Sequence, residues 1–214
     1  MKDIIKERIL VLDGALGTMI QQYGLTEADF RGEEFKNHPV KLEGNNDILV
    51  LTRPDIISNI HRQYLEAGAD IIETCTFNSQ AISQTEYQTT DFVYRINLEA
   101  ARLARQEADR MTALTPDKPR FVAGSVGPTA KMTSMSPDVE NPALRAVDYD
   151  TLCKAYVEQM EALMEGGVDA LLIETIFDTL NVKAALCAAR EVFQTIGRKV
   201  PVMLSVTVAD AGGR

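Results

Sequence analysis

Five apolar runs, each ending on a polar or glycine-rich turn, recur along this chain of 214 residues. They are ILVLDG (residues 9–14), DIIETCTFN (70–78), FVAGSVGPT (121–129), ALLIETIFD (170–178) and VMLSVTVAD (202–210). Their spacing of roughly 50 residues is that of one strand-plus-helix unit, and helix-like stretches follow four of them. The pattern predicts a parallel sheet whose functional groups gather at the carboxyl ends of the strands.

Repetition within the chain favours a (β/α) barrel over an open doubly wound sheet. EAGADIIET (66–74) resembles EGGVDALLIET (165–175): each has a helix end, a glycine turn, an aspartate and a strand ending in Glu-Thr. The first turn, GALG, also lacks the GxGxxG pattern of a dinucleotide-binding fold. Only five units fit into the chain, and nothing in it predicts a linker or a second domain.

Hydrophobic periodicity and turn residues place the elements of these units. Strands are predicted at 9–13, 70–74, 120–125, 170–174 and 200–207, and helices at 1–8, 18–23, from Pro54 to Gly68, and at 91–111, 149–165 and 179–196. Residues 26–46 form a long excursion without a clear period, which is typical of a functional loop at a strand end.

Charge and targeting signals exclude several classes of protein. The formal net charge of −9 argues against nucleic acid or an anionic membrane as the main partner. No apolar run reaches the roughly 18 residues of a membrane span. The first segment, MKDIIKERILVLD, mixes acidic with basic residues and does not resemble a secretory signal. We therefore expect a cytoplasmic protein.

The three cysteines do not suggest a disulfide framework or a metal site. Their number is odd, their spacing is wide, and no CxxC motif is present. Cys153 and Cys187 fall in helix-like runs, where a free cysteine usually serves as a small buried apolar residue. Cys75 lies just past a strand, and packing beside the site is favoured over catalysis there.

Polar side chains collect where the predicted strands end. They are Asp13, Glu73, Thr74, Asn78, Glu174 and Asp178. Carboxylates at such a rim act as acid or base, bind a metal, hold an ammonium group or pair with structural cations. The functional interpretation is favoured for Asp13, which ends an apolar strand before Gly14, and for Glu174. Glu73 is open between a functional role and an outward orientation.

Together these residue types suit a free amino acid. A pair of carboxylates attracts an α-ammonium group, while backbone N–H groups and a threonine can hold an α-carboxylate. His38 and His61 are poor catalytic candidates, and no Ser-His-Asp or Cys-His arrangement is recognisable. The sequence therefore predicts an amino-acid binding site at the rim.

Six segments carry a resemblance to a known family: LDGALGTMI, ADFRGEEF, GNNDILVLTRPDII, AGADIIETCTFNS, VAGSVGPT and LLIETIFDTLN. In number, order and spacing they resemble the homocysteine S-methyltransferases. The resemblance is closest to the N-terminal, homocysteine-binding module of cobalamin-dependent methionine synthases, and it runs from about residue 9 to residue 214. On this basis residues 1–214 are expected to be the N-terminal part of such a module.

The resemblance implies a (β/α)8 barrel that binds homocysteine and activates its sulfur on zinc. The thiolate would take a methyl group from methylcobalamin, which 5-methyltetrahydrofolate charges, and methionine would be formed. The implied homocysteine contacts are Asp13 and Gly14, Thr74 near the carboxylate and Glu174 near the ammonium group, with Glu73, Asn78 and Asp178 as further candidates. Folate, cobalamin and reactivation modules of the same polypeptide are the implied partners.

One departure from the family pattern bears on activity. The family's zinc ligands are three cysteines after strands six and eight, and they are expected beyond Arg214, so no metal ligand is expected in this chain. The 214 residues alone are expected to be inactive, and to self-associate, exchange strands or be marginally stable. Two alternatives stay open: a free-standing enzyme using S-methylmethionine or betaine, and a non-catalytic amino-acid-binding module. An unrelated barrel lyase or aldolase would need a lysine or metal set that the sequence does not show.

Overall fold

Four parallel strands form the centre of the computed structural model, which describes residues 1 and 3–208. The strands are β1 (Ile71–Glu73), β2 (Phe121–Val126), β3 (Ala170–Ile176) and β4 (Val202–Val206). They lie in the order β1-β2-β3-β4, and each neighbouring pair is parallel. An unbroken sequential order is that of consecutive units in a (β/α) barrel, whereas a doubly wound sheet reverses its order at a switch point.

Helices precede and connect the strands. They are α1 (Leu16–Gln21), α2 (Glu27–Arg31), α3 (Leu49–Thr52), α4 (Pro54–Ala67), α5 (Ala81–Gln84), α6 (Val93–Leu114), α7 (Tyr149–Glu165) and α8 (Thr179–Ile196), with 3-10 turns at Ile4–Lys6, Asn46–Ile48, Thr85–Tyr87 and Thr90–Phe92. None of the helices in the described part of the chain is both long and apolar enough to cross a bilayer.

Two clusters of buried apolar side chains hold the layers together. The larger joins the sheet to α6, α7 and α8 and includes Leu163 and Leu171, both fully buried. The alanines of α8 that face it are Ala184, Ala185, Ala188 and Ala189. Because alanine is small, this face lets α8 approach its neighbours closely. The second cluster fixes the segment before β1 against α4 and α6, and it includes Leu42 and Ile57.

The aspartate of the repeated unit has the same structural role in both copies. The Asp70 backbone N–H donates to the Val11 carbonyl at 2.8 Å, and its carboxylate accepts from the Val11 N–H at 2.9 Å. Asp169 does the same with Val122, at 2.8 Å and 2.9 Å. Each aspartate therefore fixes the register of its own strand against the preceding one.

The prediction of a full strand at residues 9–13 is wrong, because this segment pairs with β1 without forming a strand of the sheet. Leu12 forms one isolated parallel bridge with Ile71, and the backbones of Val11 and Asp13 add hydrogen bonds to the start of β1. Its described neighbour is β1 alone, and the side chains of Ile9 and Val11 are 85% and 54% exposed. With hydrogen bonds on one side and little burial, the segment does not build a longer ladder in this structure.

Other sequence-based boundaries need smaller corrections. The predicted helix at 1–8 is one 3-10 turn at Ile4–Lys6. The excursion at 26–46 contains α2, which begins with a capping box between Thr26 and Asp29 that the sequence analysis overlooked. The helices predicted at 149–165 and 179–196 are confirmed. The predicted mixed α/β fold with a parallel sheet of the barrel type is confirmed as well.

Candidate functional site

A cleft of about 470 Å³ opens at the carboxyl ends of the strands. It is lined by Asp13, Gly14, Ala15, Leu16, Gly17, Gly44, Asn46, Asp47, Glu73, Thr74, Cys75, Thr76, Phe77, Asn78, Ser125 and Glu174. All the predicted site residues except Asp178 are in this set. The volume is in the range of small-molecule sites, which makes the cleft the candidate functional site.

Three half-buried carboxylates, those of Asp13, Glu73 and Glu174, lie around the cleft. The Glu73 backbone N–H donates to Asp13 Oδ2 at 3.0 Å, whereas Asp13 Oδ1 is buried and has no hydrogen-bond partner among the described residues. The hydroxyl of Ser125, in β2, donates to Glu174 Oε1 at 2.5 Å. Glu73 therefore lies at the cleft, and its role there stays a prediction.

Burial and neighbouring negative charge disfavour ionisation of these carboxylates, and no lysine or arginine of the described residues forms an ion pair with any of the three. Burial, followed by the charges of Glu174 and Asp13, raises the pKa of Glu73 to about 8. Burial also raises the pKa of Asp13 to about 7, against the hydrogen bond from the Glu73 N–H, which lowers it. Burial raises the pKa of Glu174 too, and the Ser125 hydroxyl opposes that shift. A cation entering the cleft would relieve this repulsion.

An irregular end of β3 positions Glu174. The pairing of β3 with β4 shifts in register between Ile173 and Ile176, and Thr175 has a φ of +53°. A left-handed conformation is rare for a β-branched residue and costs roughly 1–3 kcal/mol. Such irregularities re-aim side chains next to active sites. Glu174, whose carboxylate lines the cleft, immediately precedes the strained Thr175.

Asp47, which is buried and lines the cleft, is not among the site residues predicted from the sequence. Its Oδ2 accepts from the Asn78 N–H at 2.7 Å and from the Ser79 hydroxyl at 2.8 Å. Burial raises its pKa to about 6, although these two hydrogen bonds lower it. The segment GNND carried a signal, because its aspartate immediately precedes an apolar run. Asn78 thus lines the cleft and is held there through its backbone.

The hydroxyl of Thr74, a predicted substrate contact, already has partners within the protein. It accepts from the Ser125 N–H at 2.9 Å and lies 2.6 Å from the Thr76 hydroxyl. The Thr76 hydroxyl donates in turn to the Ser125 carbonyl at 2.7 Å. Below them Gln159, on α7, donates to the Thr76 carbonyl at 2.9 Å. This buried network ties the end of β1 to β2 and makes the wall of the cleft rigid.

Two glycines allow close approaches around the cleft. A Cβ on Gly14 would lie 3.1 Å from the Tyr64 hydroxyl oxygen, so the turn after Asp13 packs on that ring. A Cβ on Gly127 would lie 2.3 Å from the Phe77 carbonyl oxygen, which no side chain tolerates. The loops that follow β1 and β2 are therefore in direct contact at Gly127.

Asp178 lies outside the cleft and caps α8. Its Oδ1 accepts from the N–H groups of Leu180 at 2.8 Å and Asn181 at 3.2 Å, and its Oδ2 accepts from the Ser134 hydroxyl at 2.6 Å. Burial acts to raise its pKa, but these hydrogen bonds outweigh burial and the pKa is lowered. The carboxylate is thus fully engaged in holding the loop before α7 against the start of α8.

The described residues do not fit a zinc ion. Across residues 1 and 3–208, no three His, Cys, Asp or Glu side chains are grouped as a metal site would require. Cys75, the cysteine at the cleft, is buried, and its thiol lies 3.5 Å from the Asn46 carbonyl oxygen. Burial raises the pKa of that thiol well above its usual range, which disfavours the thiolate that zinc binds.

Comparison with known proteins relates this site to a family. Three solved structures of the homocysteine methyltransferase MmuM from Escherichia coli are similar to the chain: the metallated form (21% identity, TM-score 0.73), the oxidised form (22%, 0.73) and the apo form (22%, 0.64). The chain is covered over 98%, 98% and 97% of its length, and it spans 67%, 66% and 62% of theirs. At this identity the likeness shows a shared fold.

The sequence itself carries the family assignment. Residues 10–214 match the sequence model described as homocysteine S-methyltransferase. That match includes Asp13, the strands β1 to β4 and every other residue that lines the cleft. The chain belongs to the homocysteine S-methyltransferase family.

Proposed function

We propose that the cleft holds the amino-acid end of homocysteine, so that its sulfur can accept a methyl group. The observation that carries the proposal is the group of three half-buried carboxylates at the cleft. Their pKa values are raised, and none has a basic partner among the described residues. A site of this kind selects a ligand that brings a positive charge. Homocysteine brings an α-ammonium group, and the family to which the chain belongs supports that substrate.

The ammonium group is assigned to Asp13 and Glu174. Asp13 Oδ1 is the buried oxygen without a partner, and an ammonium donor would satisfy it. Glu174 is held by Ser125 through one oxygen, Oε1. The backbone N–H of Glu73 supports Asp13. The proposed role of its side chain is to add negative charge when a bound cation displaces its proton.

The α-carboxylate is assigned to the turn that follows Asp13, where Gly14 and Ala15 line the cleft and lead into α1. The first N–H groups of a helix have no partners within the helix and favour an anion. Thr74 contributes to this end of the ligand through the rigid wall that it builds. The thiol would then extend toward the open side of the cleft.

Methyl transfer itself needs chemistry that the described residues do not supply. A zinc-bound thiolate is the nucleophile expected from the family, but the donor set of residues 1 and 3–208 does not fit zinc. We therefore propose that this chain binds homocysteine but forms no methionine alone. Its proposed donor in the intact polypeptide is methylcobalamin, because ADFRGEEF and GNND favour that branch over S-methylmethionine or betaine.

Binding of homocysteine to the 214-residue chain, measured by isothermal titration calorimetry, tests the site. We expect Asp13→Asn and Glu174→Gln each to weaken binding by about 1–3 kcal/mol, or roughly 5- to 150-fold. Asp117→Asn and Glu7→Gln, which change exposed carboxylates elsewhere, are the matched controls. Equal affinity of both site variants and wild type would refute the assignment.

A ligand without the amino group separates charge recognition from simple fit. We expect 4-mercaptobutanoate, which is homocysteine without its ammonium group, to bind more weakly than homocysteine to wild type. The difference should shrink in Asp13→Asn.

Affinity for homocysteine should also rise from pH 6 to pH 8, because the raised pKa values of Asp13 and Glu73 mean that both must lose protons to hold a cation.

Turnover assays test the remaining parts of the proposal. Methionine formed by the 214-residue chain with zinc and either donor would contradict its inactivity. The same assay on the protein purified from its natural source tests the donor. Methionine formed from methylcobalamin and not from S-methylmethionine supports the donor assignment. The opposite preference would refute it.

A further inference from the structure

Two cysteines on the outer helices face each other across a helix–helix contact, away from the cleft. Cys153 lies on α7 and Cys187 on α8, and both are free thiols. These helices follow β2 and β3 in consecutive units of a parallel sheet and therefore run in the same direction. They pack directly against each other.

A hydrogen bond at the start of the two helices fixes their register. The Tyr149 hydroxyl donates to the Lys183 carbonyl at 3.1 Å. Cys153 lies four residues after Tyr149, and Cys187 lies four residues after Lys183. Because residues four apart share one face of a helix, the same step along parallel helices brings the two cysteines opposite each other.

The surroundings of the two thiols agree with this register. Cys153 belongs to the larger core cluster, and Cys187 packs against the edge of that cluster. Burial raises the pKa of Cys153 to about 11, and the neighbouring Cys187 thiol adds to the shift. Burial, followed by Cys187, also raises the pKa of the Tyr149 hydroxyl, which agrees with the place of Cys187 beside the start of α7. The alanines beside Cys187, Ala184 and Ala188, allow the helices to come close.

We propose that Cys153 and Cys187 form a thiol-pair modification site, which a low-molecular-weight disulfide oxidises to an intramolecular disulfide joining α7 to α8. Cys187 is half-exposed and reacts first. Its thiolate attacks one sulfur of the reagent disulfide, whose S–S bond breaks and releases one thiolate, which takes up a proton. Cys153 then loses its proton and attacks the Cys187 sulfur, expelling the second reagent thiol. Two protein thiols are oxidised and one reagent disulfide is reduced to two thiols.

The acidic neighbours of Cys153 make this reaction selective. The charges of Glu191 and Asp150 disfavour its thiolate, in addition to burial and to Cys187. Cys153 is therefore unreactive toward reagents in solution but remains next to the Cys187 sulfur once that sulfur carries a leaving group. Cys75 is buried at the cleft without a second thiol nearby, so it serves as an internal control.

Peptide mapping of the 214-residue chain after incubation with oxidised glutathione tests the site. After free thiols are blocked and the chain is digested without reductant, we expect a linked pair of peptides that carry Cys153 and Cys187, with Cys75 blocked as a free thiol. A glutathione adduct that remains on Cys187, only intermolecular disulfides, or no oxidation would each overturn the proposal.

Thermal unfolding provides a second, independent measurement. A bond that closes this loop should raise Tm by roughly 5–10 °C, and dithiothreitol should reverse the rise. Cys187→Ser, at a half-exposed position, should abolish the shift, whereas Cys75→Ala should keep it. A shift of the same size in Cys187→Ser would refute the assignment to this pair.

Discussion

The two ends of β1 treat their carboxylates in opposite ways. At the amino end, the two terminal guanidinium nitrogens of Arg8 donate to the Asp70 carboxylate at 2.8 Å, and Lys118 Nζ lies 3.6 Å from Asp70 Oδ1. The hydrogen bond with Arg8 is the main cause that lowers the pKa of Asp70 to about 2. At the carboxyl end, three residues later, Glu73 has no basic partner among the described residues, and burial raises its pKa to about 8.

The second copy of the repeated unit shows the same division. Asp169, before β3, accepts from Arg105 at 2.6 Å, while Glu174, near its end, faces the cleft. Charges at the amino ends are thus neutralised within the fold and hold the strands in register. The carboxylates at the carboxyl ends, Glu73 and Glu174, line the cleft and have no basic partner among the described residues. In both copies of the repeat, on β1 and β3, the carboxylate before the strand is paired within the fold and the carboxylate near its end lies at the cleft.

The largest expected effect comes from removing the structural charge on β1. Asp70→Asn should lower the free energy of unfolding by about 3 kcal/mol, because it leaves Arg8 without its partner and weakens the bond to the Val11 N–H. Urea denaturation measures the loss. Glu73→Gln, at the other end of the same strand, is the matched control and should not destabilise the chain. Equal losses in both variants would remove the distinction between the two ends.

The functional end should make stability depend on pH. Folded Glu73 and Asp13 keep protons that the unfolded chain releases near pH 4, so stability is lost as pH rises. We expect a net fall of about 2 kcal/mol between pH 6.5 and pH 8. His61, whose folded pKa burial lowers to about 4, opposes it by only about 0.4 kcal/mol, because the unfolded histidine loses the last of its protons in this window. Denaturation of Glu73→Gln should show a smaller slope. An unchanged slope would contradict the assignment to Glu73.

The structural charge on β3 should matter less than that on β1. The side chain of Asp169 is 34% exposed, against 1% for Asp70. Asp169→Asn should therefore cost about 1.5 kcal/mol, the size of one charge-assisted hydrogen bond. Urea denaturation of both variants under one set of conditions gives the ranking. A larger loss for Asp169→Asn would show that burial does not decide it.

The smallest effect concerns the strained residue beside Glu174. Thr175→Gly relieves a left-handed conformation but adds freedom to the unfolded chain, so stability should rise by about 1 kcal/mol or less. Homocysteine binding should weaken, because the backbone that positions Glu174 becomes more flexible. Thermal unfolding and calorimetry measure the two effects. Increased stability together with unchanged affinity would show that the strain has no role in positioning.

The parallel strands and the long helices could be predicted from sequence because apolar periodicity and capping residues act locally. The helices predicted at 149–165 and 179–196 have the bounds of α7 and α8, and in the structure Asp148 and Asp178 cap them. The first strand could not be predicted correctly, because its extent depends on neighbours on both sides. The pattern alone did not reveal that only Leu12 would form a bridge with β1.

The site divides in the same way. Asp13, Glu73 and Glu174 were predictable, since each lies at or near a predicted strand end, where a parallel sheet gathers its functional groups. Asp47 was missed because it reaches the cleft from the irregular segment before α3, and its position depends on contacts with Asn78 and Ser79. Asp178 fitted the positional rule, but hydrogen bonds with Ser134 and the start of α8 direct it elsewhere.

The contact between Gly127 and Phe77 has a consequence for how the cleft opens. Phe77 lines the cleft, its carbonyl oxygen meets Gly127, and the Gly127 carbonyl accepts from the Tyr156 hydroxyl of α7 at 3.2 Å. Because no slack separates these groups, an outward swing of the Phe77 loop must displace the loop after β2 and disturb that hydrogen bond. Ligand entry would then be detectable at the Tyr156 side chain, which is buried in the core and does not itself line the cleft.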